Sequence, residues 1–278
     1  MKYIDIFTTK YVINIANMIK ILLEKMDYSV TLNIRNINIE DIKLVNQFED
    51  RKMFILCIQW LVSKDIILPK DKYIIYQLEQ RDQSDVKHIN NNFLEKLYSN
   101  AYHIFDYSKL NLLFYKNQSN VSYLLPPASI YKNSFPKKYD LLFCGNINPR
   151  RNDLLVKIHN LGINLKVVSN VFGENLLKMI SESKILLNIR YSDSKILETC
   201  RLHDAIMSKG TFIISEYPGS EYDDINIYEK RIHFTEFDHD KIITLIKTIL
   251  NIYPFKKIDE FDIHKINNIS YQNLKLIL

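Results

Sequence analysis

Glycine is nearly missing from this chain, with 5 in 278 residues, and alanine, with 4, and tryptophan, with 1, are scarcer still. That scarcity removes the glycine-rich phosphate cradles. There is no G-x-G-x-x-G and no G-x-x-x-x-G-K-[ST], so neither a dinucleotide fingerprint nor a P-loop is present. Three cysteines, Cys57, Cys144 and Cys200, are odd in number and far apart. They exclude a disulfide framework and a metal knuckle, and they fit a reducing compartment. The histidines show no H-x-x-x-H or H-E-x-x-H spacing, and Asp223-Asp224 reads as a solvated acidic loop, so no metal site is expected. With no G-x-S-x-G elbow and no cysteine at an electropositive helix start, covalent nucleophilic catalysis has no support.

Long apolar runs are missing too. The longest, Met53 to Val62, contains Gln59 and falls well short of the roughly 20 residues a membrane helix needs. The N-terminal stretch mixes charges into its apolar positions and lacks a cleavage site, so no signal peptide is expected. A cytoplasmic location follows as the expectation, with the sequons at Asn117, Asn120 and Asn268 unused. The net charge of +5 comes from 37 basic and 32 acidic residues spread along the chain, with no basic run longer than Lys137-Lys138 or Arg150-Arg151. No nucleic-acid partner is expected from so weak a footprint.

What the chain does have is a globular balance, 47% hydrophobic and 25% charged, enough for two cores of roughly 140 residues each. The excess of isoleucine and asparagine points to AT-rich coding, as in a virus or a parasite; a viral source would make the location host cytoplasm. Short β-rich runs alternate with helical periods, which predicts an α/β fold built from βαβ units and parallel sheets. In the first half, strands are expected near Tyr3 to Phe7, Ser29 to Ile34, Met53 to Ile58, Tyr73 to Leu78, His103 to Tyr107 and Val121 to Leu125. The clearest helices there are Val12 to Lys25 and Val86 to Tyr98. Pro126-Pro127 and then Asn133 to Lys138 stop the periodicity and mark a linker. This predicts an N-terminal domain over 1–132 and a C-terminal domain over 139–278, the latter carrying a terminal helix from Ile263. In the second half, strands are expected at Asp140 to Cys144, Leu165 to Ser169, Ile185 to Arg190 and Thr211 to Ser215. Helices are expected at Asp153 to Asn160, Glu174 to Ser181 and Ser194 to Ser208.

In doubly wound sheets ligands sit beyond the carboxyl ends of the strands, so residues just after strands are the candidates. Gly145 and Asn146 follow the strand LLFC, and Arg150 and Arg151 stand at the mouth of the next helix, where free N–H groups and guanidinium forks suit a diphosphate. Arg190, Tyr191, Ser194 and Lys195 follow ILLNI, and Glu216 follows FIIS. Glu198 and Arg201, three apart, share a helix face, where they form a surface pair or leave the carboxylate to accept two sugar hydroxyls. Glu79, after YIIYQL in the first half, is placed to meet an acceptor hydroxyl as a base or orienting group.

The run IIYQLEQ, AYHIFDYSKLN, the prolyl linker, YDLLFCGNINPRRNDLL, LGINLKVVSNVFGE and SKILLNIRYSDSKILETCRLHDAIMSKGTFIISE resembles short two-domain GT-B glycosyltransferases, over about Tyr73 to Glu216. The resemblance implies two Rossmann-like domains facing a cleft, with an acceptor on the first and a nucleotide-diphosphate sugar, UDP or GDP, on the second. It implies that Arg150 or Arg151 meets the diphosphate, that Phe172 and Gly173 lie near the base, and that Glu198 lies near the ribose or sugar. The implied reaction is metal-independent transfer, needing no cofactor, to a hydroxyl on a glycan or other biomolecule, with Glu79 and Glu198 as catalytic candidates. Retaining relatives carry two glutamates seven apart; here the second position falls at Ala205 beside Asp204. The usual glycine-rich acceptor loop is also absent, since no glycine precedes Gly145. A degenerate GT-B protein that binds a glycan or nucleotide sugar, and a nucleotide-sugar epimerase, are the alternatives.

Overall fold

The structure, a computed structural model, describes residues 2–82, 92–115, 118–129, 133–206, 208, 210–219, 225–228, 231–253 and 263–278. The chain divides into two compact units: Met1–Pro127 with His264–Leu278, and Ala128–Ile263.

Unit 1 is built on strands β1 (Tyr3–Phe7), β2 (Ser29–Asn33), β3 (Arg51–Leu56), β4 (Tyr73–Gln77), β5 (His103–Asp106) and β6 (Val121–Tyr123). Their spatial order is β2-β1-β3-β4-β5-β6, every pairing is parallel, and helices α1 (Ile13–Glu24), α2 (Ile39–Gln47) and α3 (Asn92–Asn100) alternate with them. Strands β4 and β5 are buried along their whole length, and β3 is buried from Met53 onward, which is why they read as apolar runs. The edge strand β2, SVTLN, is exposed or half-buried throughout and alternates instead. Helix α2 starts at Asn38, whose side chain accepts from the Asp41 N–H while Asp41 accepts from the Asn38 N–H, a reciprocal cap. Of the helix expected at Val86 to Tyr98, residues 86–91 lie outside the described part; the remainder is α3.

Unit 2 carries β7 (Tyr139–Cys144), β8 (Leu165–Val168), β9 (Ser183–Asn188), β10 (Phe212–Glu216) and β11 (Ile232–Thr235) in the order β11-β10-β9-β7-β8, again all parallel. Helices α4 (Pro149–Asn160), α5 (Gly173–Ser181), α6 (Thr199–Ala205) and α7 (His239–Ile252) complete it. Its core joins Leu141, Phe143, Leu154, Ile158, Ile185, Leu187, Phe212 and Ile214 to the buried stripe Ile242, Ile246 and Ile249 of α7.

Helix α4 begins at Pro149, four residues before the sequence suggests, because Asn148 caps it by accepting from the Arg151 N–H and proline fits the first helical position. Helix α6 begins five residues later than expected, because the Ser194 hydroxyl accepts from the Ile196 N–H and holds the chain in a turn. The terminal helix α8 (Ile263–Lys275), read from sequence with the second domain, packs within unit 1. Ser270 donates to the Leu125 carbonyl at 2.8 Å, Asn273 donates to that of Tyr123 at 3.1 Å, and Ile266 and Leu274 are fully buried.

Candidate functional site

In both sheets the second strand lies outside the first and the third starts the other way, so each has one switch point: between β7 and β9 in unit 2, and between β1 and β3 in unit 1. Loops leaving adjacent strands in opposite directions open a crevice there. At the unit 2 switch point, Gly145 follows β7 with a φ of +150°. A β-carbon on Gly145 would lie 3.2 Å from Arg151 Nη1 and 3.7 Å from Arg201 Nη2, so two guanidinium groups converge on this backbone. Any side chain here would strain the turn and crowd Arg151.

The two arginines differ in accessibility. Arg151 is 2% exposed and donates to the carbonyls of Asn146, Ile189 and Arg190. Burial pulls its pKa down to about 10, with Glu198 opposing the drop and Arg201 and Arg150 adding to it. Arg201 keeps 28% of its side chain exposed while donating to Asn188 Oδ1 and Glu198 Oε2, both at 3.1 Å. Glu198 therefore stands between both arginines, 3.8 Å from Arg151 and 3.1 Å from Arg201, just ahead of α6. Beside them α4 presents its amino end, the positive pole of the helix.

A second ionic group lies at the ends of β9 and β10. Glu216 is 1% exposed; its carboxylate accepts from Arg150 Nη1 and Nη2, from Arg190 Nη2 and from the Arg190 backbone N–H. Burial raises its pKa, but the hydrogen bonds from Arg150 and Arg190 outweigh that and bring it below the ordinary carboxylate value. The Arg150 guanidinium also stacks 3.4 Å from the Phe237 ring centre. The group at Gly145 sets two guanidinium ions against the Glu198 carboxylate, whereas Arg150 in the second group also lies 3.7 Å from the exposed Asp193, so the surplus positive charge suited to a dianion is at Gly145.

The residues expected from sequence divide accordingly. Gly145, Asn146, Arg151, Glu198 and Arg201 are brought together. Arg150 and Arg190 turn to Glu216 instead, because neighbours on a helix point about 100° apart and Arg150 diverges from Arg151. Tyr191 is half exposed, its carbonyl accepting from Asn148 and its ring 5.2 Å from the Arg151 guanidinium. Ser194 is buried in its turn, and Lys195 is exposed. Phe172 and Gly173 open α5 after β8, one strand along the same edge. Asn188 and Phe237 were not expected, and Glu216 was expected only as a residue just after a strand, with no partner assigned. Glu216 followed an apolar strand like any loop-entry carboxylate, and only the register that sets β10 beside β9 puts it next to Arg190.

In unit 1, Glu79 lies past the end of β4 and its Oε1 accepts from the Trp60 indole N–H at 3.4 Å. Asp106, at the end of β5, is fully buried and accepts from the Ser108 N–H, Asn111 Nδ2 and the Tyr115 hydroxyl. Burial pushes its carboxyl up to about 7 against these bonds and the field of Arg81. The folded chain then holds a proton that the unfolded chain releases between the ordinary aspartate range and about pH 7, so this group's contribution to stability is lost as pH rises through that window. Asp106→Asn is expected to flatten this dependence, read as a smaller difference between urea midpoints at about pH 5 and about pH 8 than in the parent.

Among the described residues, no group of three or more His, Cys, Asp or Glu side chains is placed to hold a metal ion, and no helix is long and apolar enough to cross a membrane. No protein-family model matches the chain. The crystal structure of AviGT4, a glycosyltransferase involved in avilamycin A biosynthesis, superposes with a TM-score of 0.63 at 10% identity, over 100% of this chain and 97% of that one. The fold is GT-B. The DNA-modifying β-glucosyltransferase, solved with and without uridine diphosphoglucose, gives the same result at 0.54 and 12% identity, over 100% and 97%. Anabaena HepE in complex with UDP matches at 0.53 and 10%, over 99% and 100%. In sequence, the chain is similar to proteins of Acanthamoeba polyphaga mimivirus. It is 24% identical to uncharacterized protein L140 over 96% of this chain and 87% of that one, and 30% identical to R358 over 64% and 66%. A segment covering 59% of the chain matches 23% of the length of L137 at 30% identity. A GT-B chain with viral relatives agrees with the resemblance and with the AT-rich composition.

Proposed function

We propose that this chain is a glycosyltransferase that binds a nucleotide-diphosphate sugar on unit 2 and transfers the sugar to a hydroxyl acceptor without a bound metal. The observation that carries the reading is the convergence of Arg151 and Arg201, with Glu198 paired to both, on Gly145 at the switch point of a GT-B sheet. In this reading Arg201, the accessible guanidinium, meets the diphosphate together with the amino end of α4 and takes up the charge that develops on it as the glycosidic bond breaks. Arg151 positions the loop from beneath. Glu198 accepts hydroxyls of the ribose or sugar, Phe172 and Gly173 flank the base, and Arg150 and Arg190 set the field through Glu216. Glu79 orients the acceptor hydroxyl. Two GT-B neighbours were solved with UDP or uridine diphosphoglucose, which makes UDP the first nucleotide to test and GDP the second.

A binder without turnover is the second reading, favoured by a single observation: Ala205 and Asp204 stand where a second glutamate is expected, and Asp204 accepts from Ser129 at 3.3 Å. The test is incubation with UDP-sugars and GDP-sugars and a mixed acceptor panel in EDTA, followed by mass spectrometry. Release of nucleoside diphosphate with a glycosylated product is the expected outcome. Nucleotide binding with neither transfer nor donor hydrolysis would select the binder.

A further inference from the structure

The switch point of unit 1 is furnished quite differently from that of unit 2. Thr8 to Val12 leave the end of β1, and Cys57 to Leu61 leave the end of β3, the neighbouring strand. Two large rings stand exposed there, Tyr11 at 56% and Trp60 at 51%. Cys57 takes a left-handed conformation with φ 58°, which turns the chain sharply and delivers Gln59 and Trp60 to the sheet edge. The bond from the Trp60 indole to Glu79 ties the ring to the chain that leaves β4.

Polar groups collect at the same three strand ends. The Thr9 hydroxyl after β1, both amide atoms of Gln59 after β3, and both amide atoms of Gln77 at the end of β4 are enclosed and meet no hydrogen-bond partner among the described residues. Gln77 has no exposed surface at all. Enclosed polar atoms are normally paired, so this concentration beside two exposed rings calls for a ligand rich in hydroxyl groups.

We propose that the β1–β3 switch point of unit 1 is a saccharide-binding site, and so, resting on the glycosyltransferase reading, that the acceptor is an oligosaccharide. The rings of Tyr11 and Trp60 pack against the C–H faces of sugar rings, and Thr9, Gln59 and Glu79 exchange hydrogen bonds with sugar hydroxyls, with Gln77 behind them. An acyl chain would cover the rings but leave the amides unpaired. A phosphate backbone would meet the Glu79 carboxylate beside Trp60, and of the cations near these loops Lys10 lies 5.8 Å over the Tyr11 ring while Arg35, 5.5 Å over the Phe7 ring, already donates to both oxygens of Asp41.

Trp60 is the single tryptophan of the chain, so emission of the intact protein reports this site alone. Cellotetraose, maltotetraose, chitotetraose and their monosaccharides are titrated while tryptophan emission is followed, and UDP binding is measured on the same samples by melting temperature. A saturable change with at least one tetrasaccharide, weaker with its monosaccharide, is expected. Tyr11→Ala and Gln59→Leu should each weaken it about tenfold with the melting temperature unchanged. If UDP binds but no tetrasaccharide alters emission, the saccharide site is overturned while the donor reading stands; the reverse result leaves the saccharide site and removes the donor site. A saturable response to duplex DNA or phosphatidylcholine vesicles in place of the saccharides overturns the proposal as well.

Discussion

Arg201→Ala is expected to weaken binding of the nucleoside diphosphate by about 10-fold to about 150-fold, the equivalent of losing a hydrogen bond to a charged group worth about 1.5–3 kcal/mol. Transfer should fall further than binding, because charge on the diphosphate grows as the glycosidic bond breaks. The physical reason is the difference between the two arginines at Gly145. Arg151 spends its donors on three backbone carbonyls, whereas Arg201 is partly exposed and held by Asn188 and Glu198. Calorimetric titration with UDP and GDP, with transfer rates from the same preparations, checks this. Arg201→Lys should recover only part of the affinity, since a point charge replaces a planar fork. The melting temperature should stay close to that of the parent, because the Arg201 side chain is partly solvated and its ion pair with Glu198 contributes little.

Glu216→Ala should produce the largest loss of stability, about 3 kcal/mol, by removing the buried carboxylate shared by two guanidinium ions that are only 19% and 12% exposed and leaving them backbone carbonyls and the exposed Asp193. The loss should depend on pH. The Glu216 pKa is held down in the folded chain, so its contribution is present at neutral pH and disappears as pH falls through that lowered value. Denaturant midpoints of parent and variant are therefore expected to lie far apart at neutral pH and to approach each other in acid. Glu216→Gln, which still accepts from Arg150 and from the Arg190 N–H, should lose less. A variant as stable as the parent at neutral pH would mean that the two arginines find other acceptors and that the cluster is not a structural hub.

Much of this architecture was legible because parallel strands covered on both faces leave apolar runs that nothing else in the chain imitates. β4, β9 and β10 are of this kind, and their ends locate the candidate loops directly. Helix starts were less legible, because they depend on single side-chain bonds. Asn148 moved the start of α4 forward, and the Ser194 turn moved that of α6 back and left Glu198 ahead of the helix. The partner of α8 is a tertiary choice: an amphipathic segment records that it packs, but the Leu125 carbonyl that receives Ser270 is 145 residues away. The division of labour between Arg150 and Arg151 was hidden for the same reason. Adjacent basic residues look equivalent in a sequence, yet one meets the carboxylate at the end of β10 and the other a set of carbonyls after β7 and β9. Gly145, in contrast, stood out in a chain with 5 glycines, and its position after a strand was signal enough.

The most direct test of the account is hydrogen exchange with mass spectrometry, with and without saturating UDP or GDP. Binding at the unit 2 switch point predicts slowed exchange in 145–151 at the start of α4 and in 189–201 around Glu198 and Arg201, lost in Arg201→Ala. Protection confined to unit 1, or none with either nucleotide, would contradict a donor site built on Gly145, Arg151, Arg201 and Glu198.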